Sequence, residues 1–565
     1  MMKKFIVLLM VTISLLSATS IGCAKKLNID ESKTQLYVWN FDGGVGHTWL
    51  DSVITRFESE KEEADYYRKG KKGVEIIVMN SKDSPLKTLK NSSYSVFFLE
   101  GVAYNTLAAE KKLLNISDIV TNDIEGENGN IEGKLSSNTA KSLKAYDGNY
   151  YVLPHYQSFD GVYYNKTLFD EKKFYFANNP EEYRSSDPED PGYGFILNNS
   201  AVKTCGPNGI YEDGQGDDGL PSTMEEYERL CNFMVASGVK PFIWLNGANA
   251  SYQMKLVNAL WASLEGYEGA MANFTMNSGT TKTKIVKDFD EFNQPISDEV
   301  VISESNFYDI YQQESRYYVL DFCKKVFSNS NYFHSDSLTS TFSQTDIQET
   351  FLESKFTSTP VGMILEGSYW ENEARDSEAL ARVIKNHPDA ATMEIGIMPL
   401  PVKAKGTVAE GEGRAPVVFD MLSSYAFINA NVKKKHGEAV ERLAKDFLKF
   451  CYTDISLSEF TEKSSVPKDL NYQLTSTAKN NMSYCANTVW NAKANGKVVV
   501  PISDNMIFIK NPSVFSMYSD SMLWKTTAGV GYSRPWGGFR DGNLSAKNYF
   551  LGMKKDSTWW NNLSK

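Results

Sequence analysis

A chain of 565 residues with a formal net charge of −11 has room for two or more domains and lacks the basic surface that nucleic acid requires. Apolar residues at 42% and charged residues at 23% exclude a disordered or fibrous chain and leave ample material for large cores. Six cysteines in this length, with no CxxC pair, exclude a disulfide-built scaffold.

The first element is a secretory signal over residues 1–22. Lys3 and Lys4 start it, Phe5 to Leu16 form a short apolar run, and Ser20-Ile21-Gly22-Cys23 closes it with a small residue before a cysteine. The run is shorter than the ~20 apolar residues of a membrane span. A cysteine at that place resembles a bacterial lipobox, in which Cys23 is acylated and anchors the mature protein. Ser20 stands where the usual pattern has Leu, and an ordinary cleaved signal with an incidental cysteine is the other reading. Residues 23–34 are polar and read as a tether.

Gln35-Leu-Tyr-Val-Trp39 reads as a strand, Asp42-Gly-Gly-Val-Gly46 as a tight turn, and Trp49, Leu50, Val53, Ile54 and Phe57 recur at helical spacing. Val74–Met79 and Val96–Leu99 are the next strands, and Tyr104, Leu107, Ala108 and Leu114 mark another helix. Strands alternating with helices predict an α/β chain built on a mainly parallel sheet, with ligands beyond the carboxyl ends of the strands. Asp42 and Glu100 both fall on such loops. Tyr150–Pro154 and Gly161–Asn165 are extended and flank His155, Tyr156 and Asp160. Residues 177–222 read as a long surface loop. Thr223 and Glu226 form a capping box for a helix to Ser237, with Trp244 after the next strand. Residues 270–305 are polar and look like an insertion. Val361–Leu365 is a strand running into Glu366, Tyr369 and Trp370, and Ile395–Leu400 and Ser423–Ile428 are further strands. His436–Phe450 is an amphipathic helix. The tail beyond Ser464 reads as irregular until Ala546–Met553, with Arg534 and Trp536 in a Gly-rich loop.

Chemistry-bearing motifs are few. There is no P-loop, no GxSxG and no HExxH, and the histidines at 47, 155, 334, 387 and 436 lack metal-ligand spacing. Asp42, Glu100, Asp160 and Glu366 are numerous enough to supply the facing pair of a glycosidase, so a cell-surface glycoside hydrolase or lyase stays open. Carboxylates also bind sugar hydroxyls as charged acceptors, and 31 Tyr, 31 Phe and 10 Trp offer flat faces for sugar rings. In Gly206–Gly219, Asn208, Asp213, Asp217 and Asp218 alternate with glycines in a way that suits oxygen ligation of Ca²⁺, an acidic surface turn being the other reading. After Cys23 an odd number of cysteines remains, and one disulfide among them is open.

Several segments together resemble one family, the solute-binding lipoproteins of bacterial ABC sugar importers, family 1, maltose-binding-protein-like. These are Leu36 to Trp49, Val96 to Gly101, Tyr151 to Tyr156 with Gly161 to Asn165, Thr223 to Trp244, Val361 to Trp370, and the closing helix over Ala546 to Met553. The resemblance implies a two-lobed, type II periplasmic-binding-protein fold with the ligand cleft between lobes joined by crossing strands. It places the first lobe at 35–154, the second at 155–400, a return to the first at 401–460, and second-lobe helices at 461–565. It implies a monomer, not an enzyme and needing no cofactor. The lobes close by hinge bending on a carbohydrate, expected to be an oligosaccharide, and deliver it to permease subunits. The membrane is reached only through the lipid anchor. The ligand-binding candidates are Asp42, Glu100, His155, Tyr156, Asp160, Trp244, Glu366, Tyr369, Trp370, Arg534 and Trp536.

Overall fold

The computed structural model describes residues 29–564, except 65–66, 146, 247–251, 421–423, 503–504, 512–522 and 556. The segment expected to be a signal, Cys23 and the start of the expected tether lie outside the described residues. Strand β1 (Thr34–Phe41) alternates buried and half-exposed residues, the period of a pleated strand. Helix α1 (Thr48–Glu60) follows and buries Trp49, Leu50, Val53 and Phe57 on one stripe. Strands β2 (Val74–Ser81) and β3 (Val96–Leu99) run parallel to β1 on its two sides. All four residues of β3 are buried, as expected of a central strand covered on both faces.

The chain leaves this sheet after β4 (Leu153–Pro154) and enters a second one at β5 (Phe159–Asn165). Helix α2 (Met224–Ala236) starts at the expected capping box, Thr223 accepting from the Glu226 amide and Glu226 accepting from the Thr223 amide, each at 3.2 Å. Strand β6 (Lys240–Ile243) and helix α3 (Gln253–Glu265) come next. The stretch expected as a polar insertion, 270–305, starts instead inside a buried helix (Tyr267–Thr275) whose Ala270, Met271 and Phe274 join the core, and only then folds as a two-stranded hairpin, β7 (Lys282–Phe289) with β8 (Pro295–Val301). Helix α4 (Gln344–Ser354) precedes strand β9 (Val361–Glu366), which is buried throughout and runs into the short helix α5 (Trp370–Asp376). Strand β10 (Ile395–Ile397) pairs with β5.

The lobes differ from their expected boundaries. Strand β11 (Val417–Asp420) lies in the stretch assigned to the first-lobe return, yet it pairs with β5 in the second sheet, Phe419 opposite Asp160. The return begins with β12 (Tyr425–Ile428), antiparallel to β3 and β4. It also runs further than 460: Val466, Leu470, Tyr472, Leu474 and Ala478 are buried in the first-lobe core. The first sheet is therefore β2-β1-β3-β12-β4. The tail is not irregular either. It forms helices Ser476–Asn481 and Tyr484–Ala494 and strand β13 (Lys497–Val499), which closes the second sheet in the order β13-β11-β5-β9-β6.

The chain thus crosses between sheets at residues 155–158, between Asp420 and Tyr425, and along Tyr484–Ala494, whose Ala486 and Trp490 join one core while Val489 and Ala492 join the other. Cys205, Cys231, Cys323, Cys451 and Cys485 are all buried free thiols, so no disulfide forms among them. No helix among the described residues is long and apolar enough to cross a membrane.

Candidate functional site

The three parallel strands of the first lobe end facing the second lobe, and a cavity of about 410 Å³ opens there. Phe41 to Gly44, Gly46 and His47 line it at the end of β1, Lys82 after β2 and Glu100 after β3. The opposite wall is Leu245, Tyr252, Gln344, Thr345, Tyr369, Glu373 and Asp376. The size is that of a small-molecule site.

Glycine brings the walls together. Gly44 and Gly46 adopt φ of +54° and +62°, the left-handed region that glycine enters without steric cost. A Cβ on Gly46 would collide with the Asp376 carboxylate. This lets the loop lie against α5: the Gly44 amide donates to Glu373 Oε1 at 3.2 Å, and Asn372 Nδ2 donates to the Gly44 carbonyl at 3.0 Å. At the mouth His47 Nδ1 lies 2.8 Å from Asp42, whose hydrogen bond holds the imidazole above its usual pKa.

Deeper in, Glu100 accepts the Tyr156 hydroxyl, and the Tyr156 ring meets Tyr369 edge-on at 6.4 Å. Gln348 Nε2 bridges two carboxylates, Glu366 at 3.2 Å and Glu373 at 3.0 Å, and Glu366 also takes the Gly367 amide at 3.0 Å. Lys255 Nζ pairs with Asp160 at 3.2 Å and lies over the rings of Tyr252 and Tyr369, 5.0 and 5.3 Å from their centres. Asn258 Nδ2 holds the other Asp160 oxygen at 3.0 Å. Burial pushes Glu366 up to about 8, reinforced by the charge of Glu373 and opposed by Lys255. Burial pushes Glu100 up to about 7 against the Tyr156 hydrogen bond, and Glu373 also rises by burial. Burial opposes the charge on Lys255, but Asp160, Tyr252 and Glu366 outweigh it and hold the ammonium above the usual lysine range.

No protein-family profile matches the sequence, and no curated protein is significantly similar to it. Solved structures are similar in fold. A chitin oligosaccharide binding protein superposes with a TM-score of 0.50 at 14% identity, over 94% of this chain and 99% of that one. The apo form of RafE from Streptococcus pneumoniae superposes with a TM-score of 0.50 at 13% identity, over 93% of this chain and 97% of that one. The fold is that of the two-lobed solute-binding proteins.

Within this solute-binding fold the candidates separate. Asp42, Glu100 and Tyr369 line the cavity. Tyr156, Asp160 and Glu366 stand one layer behind, each bonded to the wall or to a residue that touches it. The others are elsewhere. Trp244 is 0% exposed and packs on Phe333 and Trp536 at 4.9 and 5.6 Å. Trp370 is 1% exposed against Tyr163 and Phe351. His155, also 1% exposed, sits between Trp49 and Phe98, with Nδ1 3.2 Å from the buried Lys468 Nζ. Trp536 belongs to the Trp244 cluster, and the exposed Arg534 precedes it; neither lines the cavity. A strand-end tryptophan reads alike for a core or a cleft, because both positions demand apolar area. The sequence reading also missed Glu373, Tyr252, Lys255 and Gln348. Only Glu373 carried a signal, as one of the acids in Glu371-Asn-Glu373 just after Tyr369.

In the 206–219 loop, Asn208 Nδ2 lies between Asp213 and Asp217 at 2.9 and 3.0 Å, and the Asn208 amide takes the other Asp217 oxygen. Asp218 accepts from the Glu212 amide. Hydrogen-bond donors thus fill the centre of the loop, and among the described residues no group of three or more His, Cys, Asp or Glu side chains converges as a cation site.

Proposed function

We propose that this protein is an extracytoplasmic sugar-binding protein, tethered through Cys23, that closes on an oligosaccharide and presents it to an ABC permease. The observation that carries the reading is the division of the cavity wall: Asp42 and Glu100 of one lobe face Tyr252, Tyr369, Glu373 and Asp376 of the other across one space, so a ligand there contacts both lobes only when they approach. Such a ligand favours the closed state by its differential contacts, and no covalent chemistry is needed. Tyr252 and Tyr369 offer ring faces, and Asp42, Glu100 and Glu373 offer charged acceptors for hydroxyl groups. A solved structure of the same fold is that of a chitin oligosaccharide binding protein, which makes a carbohydrate the first class to test.

A thermal-shift screen against an oligosaccharide panel tests the reading, since a ligand of the folded state raises Tm. Carboxylates of raised pKa also suit the acid of a glycosidase. The same mixtures are therefore assayed for new reducing ends: a Tm rise without turnover supports the binding protein, and turnover assigns the hydrolase.

A further inference from the structure

Resting on that reading, we infer that the ligand carries protonated amines: an aminated oligosaccharide, not a neutral one, is the class this cleft is built to take. The inner wall holds Glu100 and Glu373, with Glu366 and Asp160 one layer behind, against one buried cation, Lys255, which is committed to Asp160. Among the described residues Glu100, Glu366 and Glu373 form no ion pair, Lys255 being paired with Asp160. Lys82 reaches the cavity from an exposed position at the rim, and His47 is paired with Asp42. At the mouth Asp376 adds a further carboxylate.

The hydrogen-bond inventory is equally one-sided. Ionised carboxylates only accept, and a sugar hydroxyl both donates and accepts, whereas an ammonium donates three hydrogens and accepts none. Glu373 and Glu366 already hold amide donors, but Glu100 receives only the Tyr156 hydroxyl among the described residues. Tyr252 and Tyr369 hold the Lys255 ammonium against their rings, the contact by which aromatic faces attract a cation. The charge state agrees with this geometry. Burial raises Glu100 to about 7 and, one layer behind, Glu366 to about 8, and a bound ammonium would return the Glu100 it touches to the ionised form with release of a proton.

The test is calorimetric titration of the soluble chain with a glucosamine tetrasaccharide, its N-acetylated counterpart of equal length, and raffinose. It is run in two buffers of different ionisation enthalpy. The aminated tetrasaccharide is expected to bind at least 10-fold tighter than the acetylated one, with proton release, and to lose 10-fold or more in affinity in Glu100→Gln and in Glu373→Gln. Melting curves of both variants confirm their fold. Equal or tighter binding of the acetylated or neutral sugar overturns the inference and leaves the sugar-binding reading standing. So does an aminated ligand indifferent to both substitutions. Binding of no saccharide in the set overturns the sugar-binding reading, and the inference with it.

Discussion

The backbone amide of Gly44 donates to the Glu373 carboxylate at 3.2 Å, joining the loop after the first strand of one lobe to a helix of the other. Glycine permits the approach, because the loop's left-handed residues and the Gly46 contact leave no room for a side chain. Glu373 in turn shares Gln348 with Glu366, so the contact between lobes and the buried acid pair are one network.

Gly46→Ala should hinder closure more than folding. A left-handed alanine costs about 1–2 kcal/mol, and its methyl would strike Asp376. Ligand affinity is expected to fall on the order of 10-fold, with each lobe still folded. Small-angle scattering with and without ligand reads the closure directly. A variant that still compacts on ligand as the parent does would remove this loop from the closing contact.

Tyr369→Ala and Trp370→Ala should separate cleanly although the residues are adjacent. Tyr369 lines the cavity, and losing its ring face should cost about 1–2 kcal/mol of affinity at ~25 cal/mol per Å² of apolar contact. Trp370 is core, and its truncation should cost about 3–5 kcal/mol of stability. Titration and thermal melting of both variants check this pair of outcomes.

Glu366 makes stability depend on pH. Its folded pKa, about 8, lies above the ordinary carboxylate value, so the folded state binds the proton more tightly than the unfolded state. The stability this contributes is full below about pH 4.5 and is lost as pH rises through about 8. Glu366→Gln should flatten that decline in the ligand-free protein. Melting temperatures between pH 5 and 8.5 measure it, and an unaltered slope would show that Glu366 does not titrate as described.

Millimolar calcium should leave Tm unchanged, because Asn208 already occupies the space between Asp213 and Asp217. Asn208→Asp is the informative partner: it replaces the donor with a carboxylate, and a calcium-dependent rise in Tm is expected only there. A rise in the parent protein would show that the loop rearranges to take the ion.

Cys23→Ala should move the protein from the membrane fraction to the medium without altering its melting, since the tether precedes the first strand at Thr34. Intact mass of the parent from its native host supplies the check, an unmodified Cys23 being the outcome that removes the lipid anchor.

Read alone, the residue pattern determined the elements with strong local periodicity. The alternation in β1, the all-apolar β3, the apolar run of β9 up to Leu365, the capping box of Thr223 and Glu226, and the one-sided helix over Glu438–Phe450 were all legible, because each is decided by neighbours a few positions apart. The strand-end rule was enough to single out Asp42 and Glu100. Tertiary structure decided which core each apolar segment joins. Val417–Asp420 and the scattered apolar residues of Val466–Ala478 are both buried, yet one pairs with β5 and the other fills the first lobe, since burial has no direction until the sheets are assembled. It likewise sent Trp244 and Trp370 into cores and brought Lys255 and Glu373 to the cleft. A side chain's environment there is set by partners some hundred or more residues away, as with Gly44 and Glu373, and no local spacing encodes that meeting.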